Sequence, residues 1–147
     1  MKQKIIVGFV GDEGVGKTTA SNVLSKEGFY KVSLMAKVEE VAKYLFTSEE
    51  LAADGSILKE VKRRGNATYS GYWINLALMS IPEKKDLIVI DGLEDIDTQA
   101  CPIIKIVEIV KSDEDTPMYK GLKVVNDVGK KEFKEKIKTL IKTLSKK

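Results

Sequence analysis

Apolar residues cluster along this chain in two different rhythms. Ile5-Ile6-Val7-Gly8-Phe9-Val10, Leu87-Ile88-Val89-Ile90 and Ile103 to Val110 are near-continuous apolar runs, and Phe29 to Ser33 and Leu122 to Val125 are shorter ones. Runs of this kind, without polar alternation, mark strands covered on both faces, as in a parallel sheet. Between them the period lengthens. Leu34, Val38, Val41 and Leu45 recur at steps of four, three and four, and Phe133, Ile137, Leu140, Ile141 and Leu144 share one face of a helix beginning at Lys130. Thr18 to Lys26 has helical character, with Gly28 as its C-terminal cap. Thr47-Ser48-Glu49-Glu50 has the form of a helix start, predicting a short helix over 49–54. Another is predicted from Ser56 to Arg64, ending near Gly65, then a loop over 65–71 and a helix from Tyr72 to Ser80 stopped by Pro82.

Strands alternating with helices predict an α/β domain, with a mostly parallel sheet of about five strands flanked by helices in three layers. One domain covers 1–147, without repeats or low-complexity linkers. Ligands of such sheets collect at the carboxyl ends of the strands. That rim holds the 11–18 loop, Ser33, Asp91 and the segments after Val110 and Val125.

The 11–18 loop carries the most chemistry. Gly11, Gly16, Lys17 and Thr18 satisfy G-x-x-x-x-G-K-[ST] between the first strand and the first helix. A loop there turns backbone N–H groups inward around a polyphosphate, and glycines permit the necessary angles. Gly11, Asp12, Glu13, Gly14, Val15, Gly16, Lys17, Thr18 and Thr19 therefore form the predicted nucleotide cradle. The helix N-terminus adds partial positive charge. Lys17 is expected to reach the β- and γ-phosphates, and the Thr18 hydroxyl to ligate Mg²⁺.

Composition narrows the options. Hydrophobic residues at 43% and charged residues at 32% fit an ordinary globular protein. The single cysteine, Cys101, excludes an internal disulfide, and the absence of histidine excludes a histidine base or metal ligand. The first apolar run is too short for a signal peptide, and no segment is long enough to span a membrane, so a cytoplasmic protein without membrane contact is expected. A net charge of +3 carries no strong signal for polymeric nucleic acid, and the lysines of the final helix read as a solvated face. Of the 25 basic residues only Arg63 and Arg64 are arginines, so any bidentate guanidinium grip on phosphate rests on that pair.

Asp91 ends the Leu-Ile-Val-Ile strand in the manner of a Walker B carboxylate, placed to hold Mg²⁺ through water or to orient Thr18, rather than only to open the Asp91-Gly92 turn. Arg63 and Arg64, followed by Tyr69, Tyr72 and Trp73, form a candidate pocket that grips an anion and stacks a base. Trp73 has two readings, a stacking platform or a core residue on one helical face with Leu76, Ala77 and Ser80. The acidic connection 111–121 contains no arginine; it stands where a lid would, and reads as an exposed loop.

With these residues together, the chain resembles a P-loop nucleoside monophosphate kinase, most like the phage-type deoxynucleoside monophosphate kinases and more distantly dephospho-coenzyme A kinase. Beyond the phosphate loop, the likeness lies in Phe29 to Phe46, in Arg64-Gly65-Asn66 followed by Tyr72-Trp73-Ile74-Asn75, in Val89-Ile90-Asp91-Gly92, and in Val124-Val125-Asn126-Asp127 with Phe133. It implies a P-loop NTPase fold, ATP with Mg²⁺ on the loop, and Asn126 in a turn near the adenine. It also implies that 34–82 is a helical acceptor-binding insertion, in which Ser33, Arg63, Arg64, Tyr72 and Trp73 hold a monophosphate. The γ-phosphoryl group then passes to that acceptor, with Lys17, Arg63, Arg64 and Asp91 as the catalytic groups. The chain departs from the family in having Leu93-Glu94-Asp95 where an arginine often follows the Walker B aspartate, and in lacking lid arginines. Lysines, or a second copy of the chain in a homodimer, then supply the missing charge, or the protein is a nucleotide-binding module with weak or no transfer. Another phosphorylated acceptor, such as dephospho-coenzyme A, is the remaining alternative.

Overall fold

Successive side chains of a strand point to opposite faces, and here the two sets feed two separate cores. The computed structural model describes residues 4–69, 71–93, 104–112, 122–127 and 129–145. Five strands, β1 (Ile5–Val10), β2 (Tyr30–Ser33), β3 (Leu87–Asp91), β4 (Ile104–Val110) and β5 (Leu122–Val125), form one sheet in the order β2-β3-β1-β4-β5. All four neighbouring pairs are parallel. Val7, Phe9, Val89, Val107, Ile109 and Val124 pack on one face against α1 (Lys17–Lys26) and α6 (Lys130–Ser145). Ile6, Val10, Val32, Ile88, Ile90 and Ile104 pack on the other. There they meet α2 (Leu34–Leu45) and α5 (Tyr72–Met79), with Leu34, Val38, Trp73, Ile74 and Ala77 in the same core. This is a three-layer α/β arrangement around a parallel sheet, as the periodicity predicts.

Between β2 and β3 the chain is helical: α2, α3 (Ser48–Ala53), α4 (Ser56–Thr68) and α5 follow one another. Ser33 caps α2, its hydroxyl accepting from the Ala36 amide at 3.2 Å. Thr47 and Glu50 close a reciprocal capping box on α3, which explains a helix that buries no residue fully.

One boundary differs in an informative way. The sequence predicts an end to α4 near Gly65, but the helix continues to Thr68. Gly65 is a contact residue and not a stop: a Cβ there would lie 2.7 Å from the Trp73 ring. The indole fills that space, and its Nε1–H donates to the Lys62 carbonyl at 2.9 Å. Close packing to α5 overrides the low helix propensity of glycine. Cys101, Glu94, Asp95 and residues 113–121 lie outside the described residues. No helix among the described residues is long and apolar enough to cross a membrane.

Gly65→Ala is expected to destabilise the fold. Overpacking against a buried ring costs about 1–3 kcal/mol, against about 1 kcal/mol of helix propensity gained. The urea unfolding midpoint should fall; a rise would show that α4 and α5 do not meet this closely.

Candidate active site

β1 is the central strand, and the chain leaves it toward β2 on one side while it leaves β4 toward β5 on the other. A crevice opens at the carboxyl ends where such connections diverge. The phosphate loop lies there. Gly11, Gly14 and Gly16 all have positive φ, at 149°, 82° and 115°. At Gly11 a Cβ would lie 2.5 Å from the Ile109 carbonyl oxygen, and at Gly16 it would lie 2.9 Å from both the Asn126 amide and the Phe133 ring. Gly14 meets nothing within 4 Å, so its side of the loop is open.

Two contacts hold the loop down. Val15 is only 2% exposed and anchors it in the core. The Asn126 side-chain amide donates to the Val15 carbonyl at 2.7 Å, while the Asn126 backbone N–H donates to Val110 O at 2.7 Å. Asn126, expected beside a nucleotide base, thus braces the loop from the end of β5. Lys17 donates from its ammonium to the Gly11 carbonyl at 2.8 Å, folding back along the loop's inner edge. Gly16 is the N-cap of α1, with no side-chain hydrogen bond and no acidic residue in the first turn. The first amides of α1 therefore face outward without a protein cap, beside Lys17 and Thr18. Asp12, Glu13 and Thr18 are exposed, and Thr19 is half-buried.

Asp91 is the last residue of β3 and pairs in register with Ser33 of β2. It lies two residues after Val89, which packs on the α1 face, so Asp91 projects to the side where α1 lies. A cation not singled out by any motif stands beside it. Lys31 Nζ is 3.8 Å from Asp91 Oδ2 and donates to Asn22 Oδ1 at 2.7 Å. Asn22 follows Thr18 by four residues on α1, so both occupy one helical face. Asn22 and Lys31 thus connect Asp91 to the helical face of α1 that also carries Thr18. The available signal was the alternation of β2, which puts Lys31 on the same face as Ser33.

No group of three or more acidic, cysteine or histidine side chains is assembled among the described residues. Mg²⁺ keeps several waters and needs only one or two protein oxygens besides phosphate. Thr18 and Asp91 are hard oxygen donors of that kind.

The acceptor candidates are less assembled. Arg63 and Arg64 have side chains 64% and 76% exposed, and both are bound to Glu60: Arg63 Nη2 at 2.6 Å and Arg64 Nε at 3.1 Å. The Arg63 hydrogen bonds hold the Glu60 carboxyl down at about 2. Trp73 is 1% exposed, so of its two readings the structure shows the core residue. Tyr72 is half-buried, in edge-on contact with both Trp73 and Tyr69. Ser33 has its hydroxyl engaged in the α2 cap. Asn66, next to the arginines in sequence, has a buried Oδ1 with no hydrogen-bond partner among the described residues.

Neither a family model nor a curated protein matches the sequence. Among solved structures, TT1252 from Thermus thermophilus is similar over 99% of this chain and 100% of its own, with a TM-score of 0.55 and 16% identity. The shikimate kinase from Bacteroides thetaiotaomicron is similar over 95% of this chain and 77% of its own, with a TM-score of 0.40 and 19% identity. At 16% identity the likeness to TT1252 is one of fold.

The Glu60 site gives a direct check. Because its pKa is depressed in the fold, the pairing is intact above the ordinary value of 4.5 and is lost only as pH falls through about 2. In an NMR titration the Glu60 carboxyl should have its midpoint near 2, and Arg63→Gln should move it upward. A wild-type midpoint near 4.5 would mean that the arginines are not paired.

Proposed function

We propose that the protein transfers the γ-phosphoryl group of ATP, with Mg²⁺, to a (deoxy)nucleoside monophosphate. The observation that carries this reading is the uncapped start of α1 beneath a loop of positive-φ glycines, with Lys17 in its first turn. Outward amides, the helix dipole and one ammonium form a site for a polyphosphate. With ATP on the loop, Lys17 exchanges the Gly11 carbonyl for the β- and γ-phosphate oxygens. Mg²⁺, held by Thr18 and by Asp91 directly or through water, would neutralise charge on the same oxygens.

An acceptor phosphate is already an anion, so no protein nucleophile or base is required. Its oxygen forms a bond to the γ-phosphorus as the bond from that phosphorus to the bridging oxygen breaks, and ADP leaves. The chain's contribution is positioning and charge neutralisation. Acceptor binding falls to the helices between β2 and β3. Asn66 Oδ1, buried without a partner, offers an acceptor atom that a ligand donor would satisfy, since a buried polar atom left alone is unfavourable. Arg63 and Arg64 supply the guanidinium groups, provided the acceptor phosphate competes with Glu60 for them. Lys31, 3.8 Å from Asp91, is a further cation for an arginine-poor site.

One specific observation favours a second reading, a nucleotide-binding module with weak or no transfer. Both arginines are engaged by the one Glu60 carboxylate, and Trp73 has no exposed face for a base.

The test is acceptor-dependent ADP formation from MgATP, with each nucleoside monophosphate and with dephospho-coenzyme A. The reading predicts turnover with a nucleoside monophosphate and its loss in Lys17→Met. Activity retained in Lys17→Met would overturn the mechanism, turnover only with dephospho-coenzyme A would replace the acceptor, and binding without turnover would leave the module.

A further inference from the structure

A second concentration of positive charge lies on the α1–α6 side of the sheet. Lys26 from α1 and Lys130, Lys134 and Lys138 from α6 line a groove of about 330 Å³ that reaches Thr19, with Glu27 as its only carboxylate. Lys130, Lys134 and Lys138 are four residues apart, so they form one row with a rise of about 6 Å between neighbours. Lys26, Lys130 and Lys134 make no ion pair or hydrogen bond among the described residues. Lys138 is only loosely paired, at 3.7 Å from Glu135.

This placement opposes the helix that carries it. Like charges four apart repel along α6, and Lys130 sits at the positive end of the helix dipole. Only Lys26, in the last turn of α1, is where the dipole favours a cation. Lys26, Lys130 and Lys138 are exposed and Lys134 is half-buried, and the α6 row and the α1 cation line one shared groove. A bound anion removes all three repulsions together. The cavity is at the small end of the range for small-molecule sites, and it is lined by ammonium groups suited to phosphate as point charges.

We propose that the groove between α1 and α6 is a second anion site, taking a compact compound that carries two or more phosphate groups. The anion site itself stands apart from the nucleotide reading of the loop, on which only a nucleotide occupant would rest. The phosphates belong either to a free polyphosphate or to a phosphorylated extension of a nucleotide seated on the loop, since the groove begins at Thr19.

The test is calorimetric titration of inorganic tripolyphosphate into the full chain carrying Lys17→Met, which removes the loop's cation. One saturable site is expected, weakened by added salt and at least tenfold weaker when Lys130→Gln and Lys134→Gln are added, with an unchanged circular dichroism spectrum. Equal affinity with and without the two glutamines, or no saturable binding, would overturn the proposal. A competition arm in the chain with Lys17 intact identifies the source. Tripolyphosphate displaced from the groove by neither ATP nor a nucleotide bearing an extra ribose phosphate marks a free polyphosphate; displacement by that nucleotide, but not by ATP, marks the extension.

Discussion

The hydrogen bond from the Asn126 amide to the Val15 carbonyl fixes the geometry on which the rest of the site depends. A loop rich in positive-φ glycines gains conformational freedom in the unfolded chain and must be held by its surroundings. Val15 is held from below by the core, Asn126 from the end of β5, and Phe133 lies where a Cβ at Gly16 would be. These restraints come from β1, β5 and α6, so the loop's shape requires the whole width of that half of the sheet. The amides at the start of α1 are aimed before any ligand arrives, and binding avoids most of the cost of ordering them.

Charge is distributed unevenly around this scaffold. On the proposed donor side Lys17 is within the loop, bonded among the described residues only to a neutral carbonyl. On the proposed acceptor side the two arginines are tied to a carboxylate. Exposed pairs of this kind are worth little to stability, so Glu60 is a modest barrier to recruiting them. Lys31 connects the two sides, reaching Asn22 on α1 and Asp91 on β3. A site with few arginines relies on such single cations, each a point charge without the bidentate geometry of guanidinium.

The sequence made the scaffold readable because its signals were local. Apolar-rich runs marked all five strands, and G-x-x-x-x-G-K-T placed the loop between β1 and α1 as found. What local signals could not give were contacts between distant segments. Gly65 reads as a helix stop in isolation and is a packing contact because Trp73 meets it from the next helix. Asn126 stands 111 residues from the Val15 carbonyl it binds. Lys31 belongs to no motif, and its place beside Asp91 follows from the register of β2 on β3. The acceptor side was the least legible, since side chains such as Arg63 and Trp73 take their roles from partners that composition does not reveal.

The central claim is that the loop from Gly11 to Thr19 is a preformed polyphosphate cradle. The most direct measurement is an amide NMR titration of the full chain with MgATP. The account predicts saturable shifts of the Gly14, Gly16, Lys17, Thr18 and Thr19 amides, with the Asn126 side-chain amide still bonded to Val15. Saturation that leaves these amides unmoved, or that appears only elsewhere on the sheet, would contradict it.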